Sequence, residues 1–184
     1  MENASLTGED RGYLGVGNFI VYADFNCPFC YALNESLCEM NLQDQVDFRS
    51  VQKAPVASSE QTDLQTLVEL TREVAELRRR APSIQIAVPL FRPSSLPAAR
   101  LLEVVADTAS SSAGLLRRSI FRALWVDGLD ISRVEVLESL LRELDIDVAA
   151  IDAVESERIV CWQSEWDGEA EFEHCTPIVI SELG

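Results

Sequence analysis

The chain has 184 residues, 47% of them hydrophobic, and its 31 acidic residues outnumber its 15 basic residues to give a formal net charge of −16. A chain of this length can bury one sizeable core. The charge excludes a general nucleic-acid binder, which needs a basic surface, and no apolar run reaches the ~18 residues expected of a membrane span.

The first sixty residues predict a strand, a helix and a second strand. Residues 1–12 lack the basic start and the apolar stretch of a secretory signal, which favours a cytoplasmic protein. Residues 18–25 are rich in β-branched and aromatic types and indicate a buried strand. Residues 31–40 are strong helix formers, and residues 46–51 alternate apolar and polar types as a strand does. Because a helix connects them, the two strands are expected to be parallel.

Helices are predicted over most of residues 60–145. Apolar residues recur there at a spacing of three and four, which indicates one buried face on each helix. A proline-punctuated stretch at 81–97 interrupts the pattern, and Gly114 precedes a further helix. Ser132-x-x-Glu135 has the spacing of a capping box for the next helix.

The C-terminal third predicts a helix, an acidic run and a third strand. The helix is expected over 148–166, and the apolar residues 178–180 form the strand, which Pro177 introduces. Residues 123–184 hold 16 acidic and 3 basic residues, whereas residues 1–122 hold 15 and 12. The architecture is therefore predicted to be α/β with a helical insertion.

Two of the five cysteines are separated by two residues, in Cys27-Pro28-Phe29-Cys30, where the first strand meets the first helix. An odd count does not suit a disulfide scaffold. The helix N-terminus favours a thiolate on Cys27 and lowers its pKa. That thiolate can attack a disulfide, and Cys30 then resolves the mixed disulfide. Pro28 stiffens the turn, and the Phe29 side chain offers no charge or hydrogen bond to the thiolate, which predicts a less oxidising couple than a histidine there would give.

Several segments carry a resemblance to a known family. Residues 22–31, Tyr-Ala-Asp-Phe-Asn-Cys-Pro-Phe-Cys-Tyr, resemble the active-site segment of DsbA-like proteins in the thioredoxin superfamily. Residues 93–102, 119–132 and 136–147 resemble further segments of that family. The resemblance extends over residues 18–181 and is nearest to the cytosolic branch shared by polyketide-associated oxidoreductases and 2-hydroxychromene-2-carboxylate isomerases.

This resemblance implies a thioredoxin-like fold with a helical insertion. Residues 1–59 and 148–184 would form the thioredoxin-like domain, and residues 60–147 the inserted helical domain. The implied activity is that of a thiol–disulfide oxidoreductase, which reduces or isomerises disulfides of a protein or a small thiol substrate. No cofactor is expected, apart from glutathione as a co-substrate.

The family also has a cis-proline opposite its cysteine pair, and Pro177 matches it. By that resemblance, the backbone of Thr176 is free to pair with an extended substrate peptide or with glutathione. Asp24 precedes Cys27 by three residues and has two interpretations. It could accept the Cys30 proton during resolution, or it could be hydrogen-bonded to the loop as a structural residue.

The sequence departs from the family pattern beside the proline. Where the family often has glycine, this chain has Cys175, preceded by His174, its one histidine. If Pro177 faces the pair, then Cys27, Cys30, Cys175 and His174 could form a zinc ligand set. The favoured interpretation is that His174 points to solvent and Cys175 is a small buried residue. A further alternative makes Cys175 an extra redox thiol.

Seven acidic residues lie between positions 155 and 173, with Arg158 alone to oppose them. If they flank the cysteine pair, they should raise the pKa of Cys27, repel anionic substrates such as glutathione and favour basic ones. If they form a solvated helix face, they have no such effect.

The resemblance leaves two alternatives to the oxidoreductase. One is a glutathione-dependent isomerase or transferase, although those enzymes typically carry serine where this chain has Cys27. The other is a metal-binding protein. The family pattern also continues beyond the third strand, whereas this chain stops at Gly184. We therefore expect N-terminal residues or the partner of a homodimer to cover that strand, unless the chain stops short of its natural end.

Overall fold

The computed structural model describes residues 19–53, 63–147 and 156–181. They contain a three-stranded sheet with the strand order β2–β1–β3. Strands β1 and β2 are parallel, as expected, and β1 and β3 are antiparallel, with Val21 opposite both Phe48 and Val179. The strands are β1 (Phe19–Ala23), β2 (Val46–Ser50) and β3 (Ile178–Ser181).

Six helices pack around this sheet in the described part of the chain. They are α1 (Pro28–Glu39), α2 (Leu64–Arg80), α3 (Leu96–Thr108), α4 (Ser110–Trp125), α5 (Val134–Glu143) and α6 (Glu157–Gly168). Two of them begin at side-chain caps, since Asp63 accepts a hydrogen bond from the Thr66 amide and Ser156 accepts one from the Ile159 amide. None of the helices in the described ranges has the length and apolar character needed to cross a membrane.

Three local predictions differ from the structure. Gly114 lies inside α4 instead of preceding a helix, because the helix continues through it. The expected capping box is wrong, since α5 follows Arg133 and the Ser132 hydroxyl donates to Asp130. The helix expected from residue 148 begins at Glu157 in the described chain, and residues 148–155 lie outside the described residues.

The hydrophobic core is continuous between the sheet and the helical insertion. One cluster of buried side chains includes Phe25 beside β1, Leu70 of α2, Leu101 of α3 and Phe121 of α4. The rings of Phe25 and Phe121 lie 4.7 Å apart between centroids. Burial of this apolar surface is the main stabilising contribution to such a fold. The insertion therefore shares its core with the sheet, and the two-domain division by residue number stays a prediction.

Helix α6 is held against the sheet by polar contacts. The Glu165 carboxylate accepts hydrogen bonds from the Tyr22 hydroxyl (2.7 Å) and from Arg49 (2.8 Å). Two residues earlier in the helix, Gln163 accepts a hydrogen bond from the Gln52 amide at 2.7 Å. These contacts fix the end of α6, and so they fix the segment that leads from α6 into β3.

Candidate active site

Cys27 is the residue immediately before helix α1, with an extended backbone at φ −102° and ψ 118°. Pro28 occupies the first helical position, where the missing N–H costs nothing. The Cys30 thiol, followed by hydrogen bonds from Thr176 and from the Cys30 and Phe29 amides, lowers the pKa of Cys27 to about 7, although burial opposes this. The structure thus agrees with the expected direction at a helix N-terminus.

Cys30 lies one turn further along the helix and has the opposite character. Burial raises the pKa of Cys30 well above its ordinary value, and the neighbouring Cys27 sulfur adds to that rise. Both side chains are buried and neither forms a disulfide. The pair therefore consists of one sulfur that ionises near neutral pH and one that holds its proton.

The segment 173–177, named here the proline loop, approaches Cys27 from the other side. The Cys27 thiol donates to the Thr176 carbonyl oxygen over 3.4 Å, and the Thr176–Pro177 peptide bond is cis. The Thr176 hydroxyl is buried next to the pair, and it lowers the pKa of both sulfurs. The indole of Trp166 holds the loop by donating to the Cys175 carbonyl at 3.0 Å. The structure thus brings the expected residues Thr176 and Pro177 to the cysteine pair.

Asp24 lies beneath the cysteine pair, 2% exposed. One carboxylate oxygen accepts from the Asn26 amide and the other from the Lys53 amide, each at 2.9 Å. Burial raises the pKa of Asp24 despite these hydrogen bonds, and the Asp24 backbone forms a hydrogen bond to the Cys30 sulfur. The structural role considered for Asp24 is thus visible in the geometry, and proton transfer from Cys30 stays a prediction.

The segment 24–30, named here the cysteine loop, is held by the helical insertion through contacts that the sequence did not reveal. The Asn26 side-chain amide donates to the Pro93 carbonyl at 2.5 Å, and Arg92 donates to the Asn26 carbonyl at 2.9 Å. The Trp125 indole donates to the Phe25 carbonyl at 2.8 Å. The sequence feature that could have indicated the contacts of Arg92 and Pro93 is the proline-punctuated stretch at 81–97, because it interrupts the helical pattern.

Phe29 is half-buried and contributes no polar side-chain atom to the site, as expected. The guanidinium of Arg80 lies 5.8 Å from the centre of its ring. Arg80 also forms an ion pair with Glu76 at 2.6 Å. The basic last turn of α2 therefore lies next to the residue between the two cysteines.

The alternative zinc ligand set is wrong. Cys175 is exposed and its thiol donates to the Glu173 carbonyl at 3.5 Å, whereas Cys27 and Cys30 are buried. The His174 ring packs edge-on against the Trp166 ring at 5.3 Å, with its side chain 69% exposed. Within the described ranges no group of three potential ligands could hold a metal ion. His174 thus faces solvent as expected, but the expectation of a buried Cys175 is also wrong.

The predicted effect of the acidic run on Cys27 is wrong as well. The pKa of Cys27 is lowered, and the groups that set it are thiol, hydroxyl and amide groups with no carboxylate among the leading contributions. The acids of the run that the structure describes are exposed, as on a solvated face: Glu157, Glu165, Asp167, Glu169, Glu171 and Glu173.

A model of a known protein family matches most of the chain. Residues 19–160 match the profile of the DSBA-like thioredoxin domain. The chain belongs to this family. The expected thioredoxin-like fold with a helical insertion is therefore confirmed, and the cysteine loop lies in the matched part of this DSBA-like domain.

Solved structures show the same fold at low sequence identity. A proposed protein disulfide isomerase from Nitrosomonas europaea is 14% identical, with a TM-score of 0.66 over 91% of this chain and 86% of the other. A 2-hydroxychromene-2-carboxylate isomerase is 20% identical, with a TM-score of 0.60 over 88% and 84%. The cytosolic disulfide reductase DsbM from Pseudomonas aeruginosa with GSH is 19% identical, with a TM-score of 0.56 over 90% and 86%. No curated protein matches this DSBA-like chain.

Proposed function

We propose that the protein is a thiol–disulfide oxidoreductase with Cys27 as its nucleophile and Cys30 as its resolving thiol. The observation that carries the proposal is the contrast within one helical turn. The pKa of Cys27 is lowered to about 7, and the pKa of Cys30 is raised well above its ordinary value. An attacking thiol is most effective when its pKa is near the ambient pH. A protonated Cys30 can donate a hydrogen bond to the Cys27 thiolate, and it must lose its proton before it attacks the mixed disulfide.

The reaction transfers two electrons in two exchange steps. The Cys27 thiolate attacks one sulfur of a substrate disulfide, the substrate S–S bond breaks, and the released thiolate takes a proton from water. Cys30 then loses its proton, with buried Asp24 as the acceptor in this proposal, and attacks the Cys27 sulfur. The S–S bond between Cys27 and the substrate breaks, and the second substrate sulfur leaves as a thiolate that takes up a proton. The products are the reduced substrate and a Cys27–Cys30 disulfide. The backbone of Thr176 would pair with the substrate segment beside Cys27.

Reduction or isomerisation of substrate disulfides is the direction that we propose, in a cytoplasmic setting. A reducing compartment keeps such a pair as a dithiol, so net oxidation of substrates is disfavoured. A small thiol such as glutathione would regenerate the dithiol by two successive exchanges. The GSH present with the fold relative DsbM supports testing glutathione first.

A reduction assay with insulin as the disulfide-bonded substrate and glutathione as the reductant tests the proposal. Cys27→Ser should abolish the activity, because a hydroxyl does not ionise at neutral pH. Cys161→Ser serves as the matched control, since this exposed thiol lies on α6, apart from the pair, and the variant should retain full activity. Activity retained by Cys27→Ser would refute the assignment.

A further inference from the structure

A second pocket lies away from the cysteine pair. It has a volume of about 320 Å³ and is lined by strand β2 and helices α3, α4 and α6. Its walls are largely apolar, with Phe48, Leu102, Ala106 and Trp162 among them. None of the residues placed in the candidate active site lines this space, which is named here the β2 pocket. Its size and its apolar walls are typical of a site for a small molecule.

Arg117 of α4 lies at one end of the β2 pocket and is 4% exposed. Its Nε donates to Asn34 at 2.7 Å and its Nη2 donates to the Gln43 carbonyl at 2.9 Å. Nη1 has no hydrogen-bond partner, and no carboxylate lies within ion-pair distance, among the residues that the structure describes. Burial lowers the pKa of Arg117 to about 10, so the group is still charged at neutral pH. The guanidinium lies 4.9 Å from the centre of the Phe48 ring, and the nearby Asp44 charge stabilises its charged form without forming an ion pair.

Two acceptors beside Arg117 lack partners in a complementary way. The side-chain oxygen of Gln43 is buried and has no hydrogen-bond partner within the described ranges. The Asp44 carboxylate accepts from the Gln43 amide at 3.1 Å but forms no ion pair with a described basic residue. A Cβ on Gly114 would lie 2.7 Å from Asp44 Oδ1, so the glycine leaves room for that carboxylate. One end of the pocket thus holds a buried cation and an exposed carboxylate that act on each other without touching, together with a buried acceptor that has no donor among the described residues.

The remaining charged groups that line the pocket are already paired. Asp47 forms an ion pair with Arg49 at 3.0 Å. Glu103 forms an ion pair with Arg158. Their charges are therefore satisfied within the protein, and the polar groups left for a ligand are those around Arg117.

We propose that the β2 pocket binds a free α-amino acid with an apolar side chain. The ligand carboxylate accepts a hydrogen bond from Arg117 Nη1, and the ligand ammonium group donates to Asp44 and to the Gln43 oxygen. The ligand side chain occupies the apolar space beside Phe48 and Trp162. One zwitterion thereby satisfies all three unpaired groups, which neither a simple carboxylic acid nor a simple amine can do.

Isothermal titration calorimetry with three probes tests the charge pattern. L-Phenylalanine should bind with one molecule per chain and should change the fluorescence of Trp162, which lines the pocket. 3-Phenylpropionate lacks the ammonium group and 2-phenylethylamine lacks the carboxylate, so each should bind at least about tenfold more weakly. The absence of saturable L-phenylalanine binding, or equal binding of the three probes, would overturn the proposal.

Variants test the location of the site. Ala106→Phe should fill the pocket and abolish binding, whereas Leu115→Phe adds the same ring at an exposed position of α4 and should leave binding unchanged. Asp44→Asn should weaken L-phenylalanine binding about tenfold and should not weaken 3-phenylpropionate. Wild-type binding by Ala106→Phe would overturn the proposal.

The alkylation rate of Cys27 is measured in the same variants. It should be unchanged, because the β2 pocket does not include the cysteine pair. Loss of ligand binding and failure of the proposed oxidoreductase activity are therefore separate results.

Discussion

The cysteine loop and the proline loop meet at Cys27, but the protein holds them in different ways. Trp125 and Asn26 tie the cysteine loop to the helical insertion through hydrogen bonds among buried groups. The proline loop carries exposed residues, His174 and Cys175, and among the described side chains Trp166 ties its backbone. The cysteine pair is therefore held by buried contacts, whereas substitutions at the exposed residues beside it should leave the reactivity of Cys27 unchanged.

The largest expected effect is on the free energy of unfolding, when each of the two tryptophans that hold these loops is replaced. Trp125→Phe leaves the buried Phe25 carbonyl without its donor and should lower the free energy of unfolding by about 2–4 kcal/mol. Trp166→Phe also trims a buried ring, but it frees the carbonyl of exposed Cys175, which water can reach, so it should cost about 1 kcal/mol less than Trp125→Phe. Urea denaturation of the two variants measures the comparison, and equal losses would contradict it.

The pH dependence of Cys27 alkylation tests the interior part of the comparison. Cys30→Ala removes the group that contributes most to the lowered pKa of Cys27, so the midpoint should rise from about 7 toward the ordinary value of 9.0. A full rise to 9.0 would lower the thiolate fraction at pH 7 about fiftyfold. Iodoacetamide rates between pH 5 and about 10 give the midpoint. Cys161→Ala is the control, and an unchanged midpoint in Cys30→Ala would refute the role of Cys30.

Thr176→Val should move the same midpoint in the same direction by a smaller amount. The Thr176 hydroxyl also lowers the pKa of Cys27, but it contributes less than the Cys30 thiol. Valine keeps the shape of the side chain and removes the donor. Thr176→Ser keeps the donor and should retain the wild-type midpoint. If valine and serine give the same midpoint, the hydroxyl has no such role.

The smallest expected effect is on stability, when His174 in the exposed turn of the proline loop is replaced. His174 has φ 51°, which is in the left-handed region that favours glycine. His174→Gly should therefore raise the free energy of unfolding by up to about 1 kcal/mol, whereas His174→Ala, which keeps a Cβ, should not. Thermal denaturation of the two variants isolates the backbone contribution. A gain of the same size in His174→Ala would assign it to the side chain instead.

The local parts of the fold and site could be predicted from the sequence. Apolar alternation located the strands, and Pro28 after a cysteine indicated a helix N-terminus that lowers the pKa of Cys27. The contacts of Arg92 and Trp125 with the cysteine loop could not be predicted, because they join positions 66 and 100 residues apart. Such long-range contacts depend on how the helical insertion packs against the sheet, and no local sequence pattern indicates that packing.

The errors beside Pro177 have a local cause. The expectation of a buried Cys175 assumed the regular alternation of a strand, but Glu173 and His174 both have positive φ and turn the chain before β3 begins. Neither residue is a glycine, so no residue type at these positions indicated the turn in advance. For the acidic run, the structure agrees with the alternative of a solvated face, on which Glu165 contacts Tyr22 and Arg49 of the sheet.

Gly114 has a consequence for the evolution of this chain. Any other residue there would place a Cβ 2.7 Å from Asp44 Oδ1 and displace the carboxylate that faces the β2 pocket. Arg117 follows one helical turn later and would lose its surroundings at the same time. A lineage in which this glycine is replaced should therefore also move the Asp44 carboxylate or change residue 44. The joint presence of the three residues is a signature by which relatives with the same pocket can be recognised.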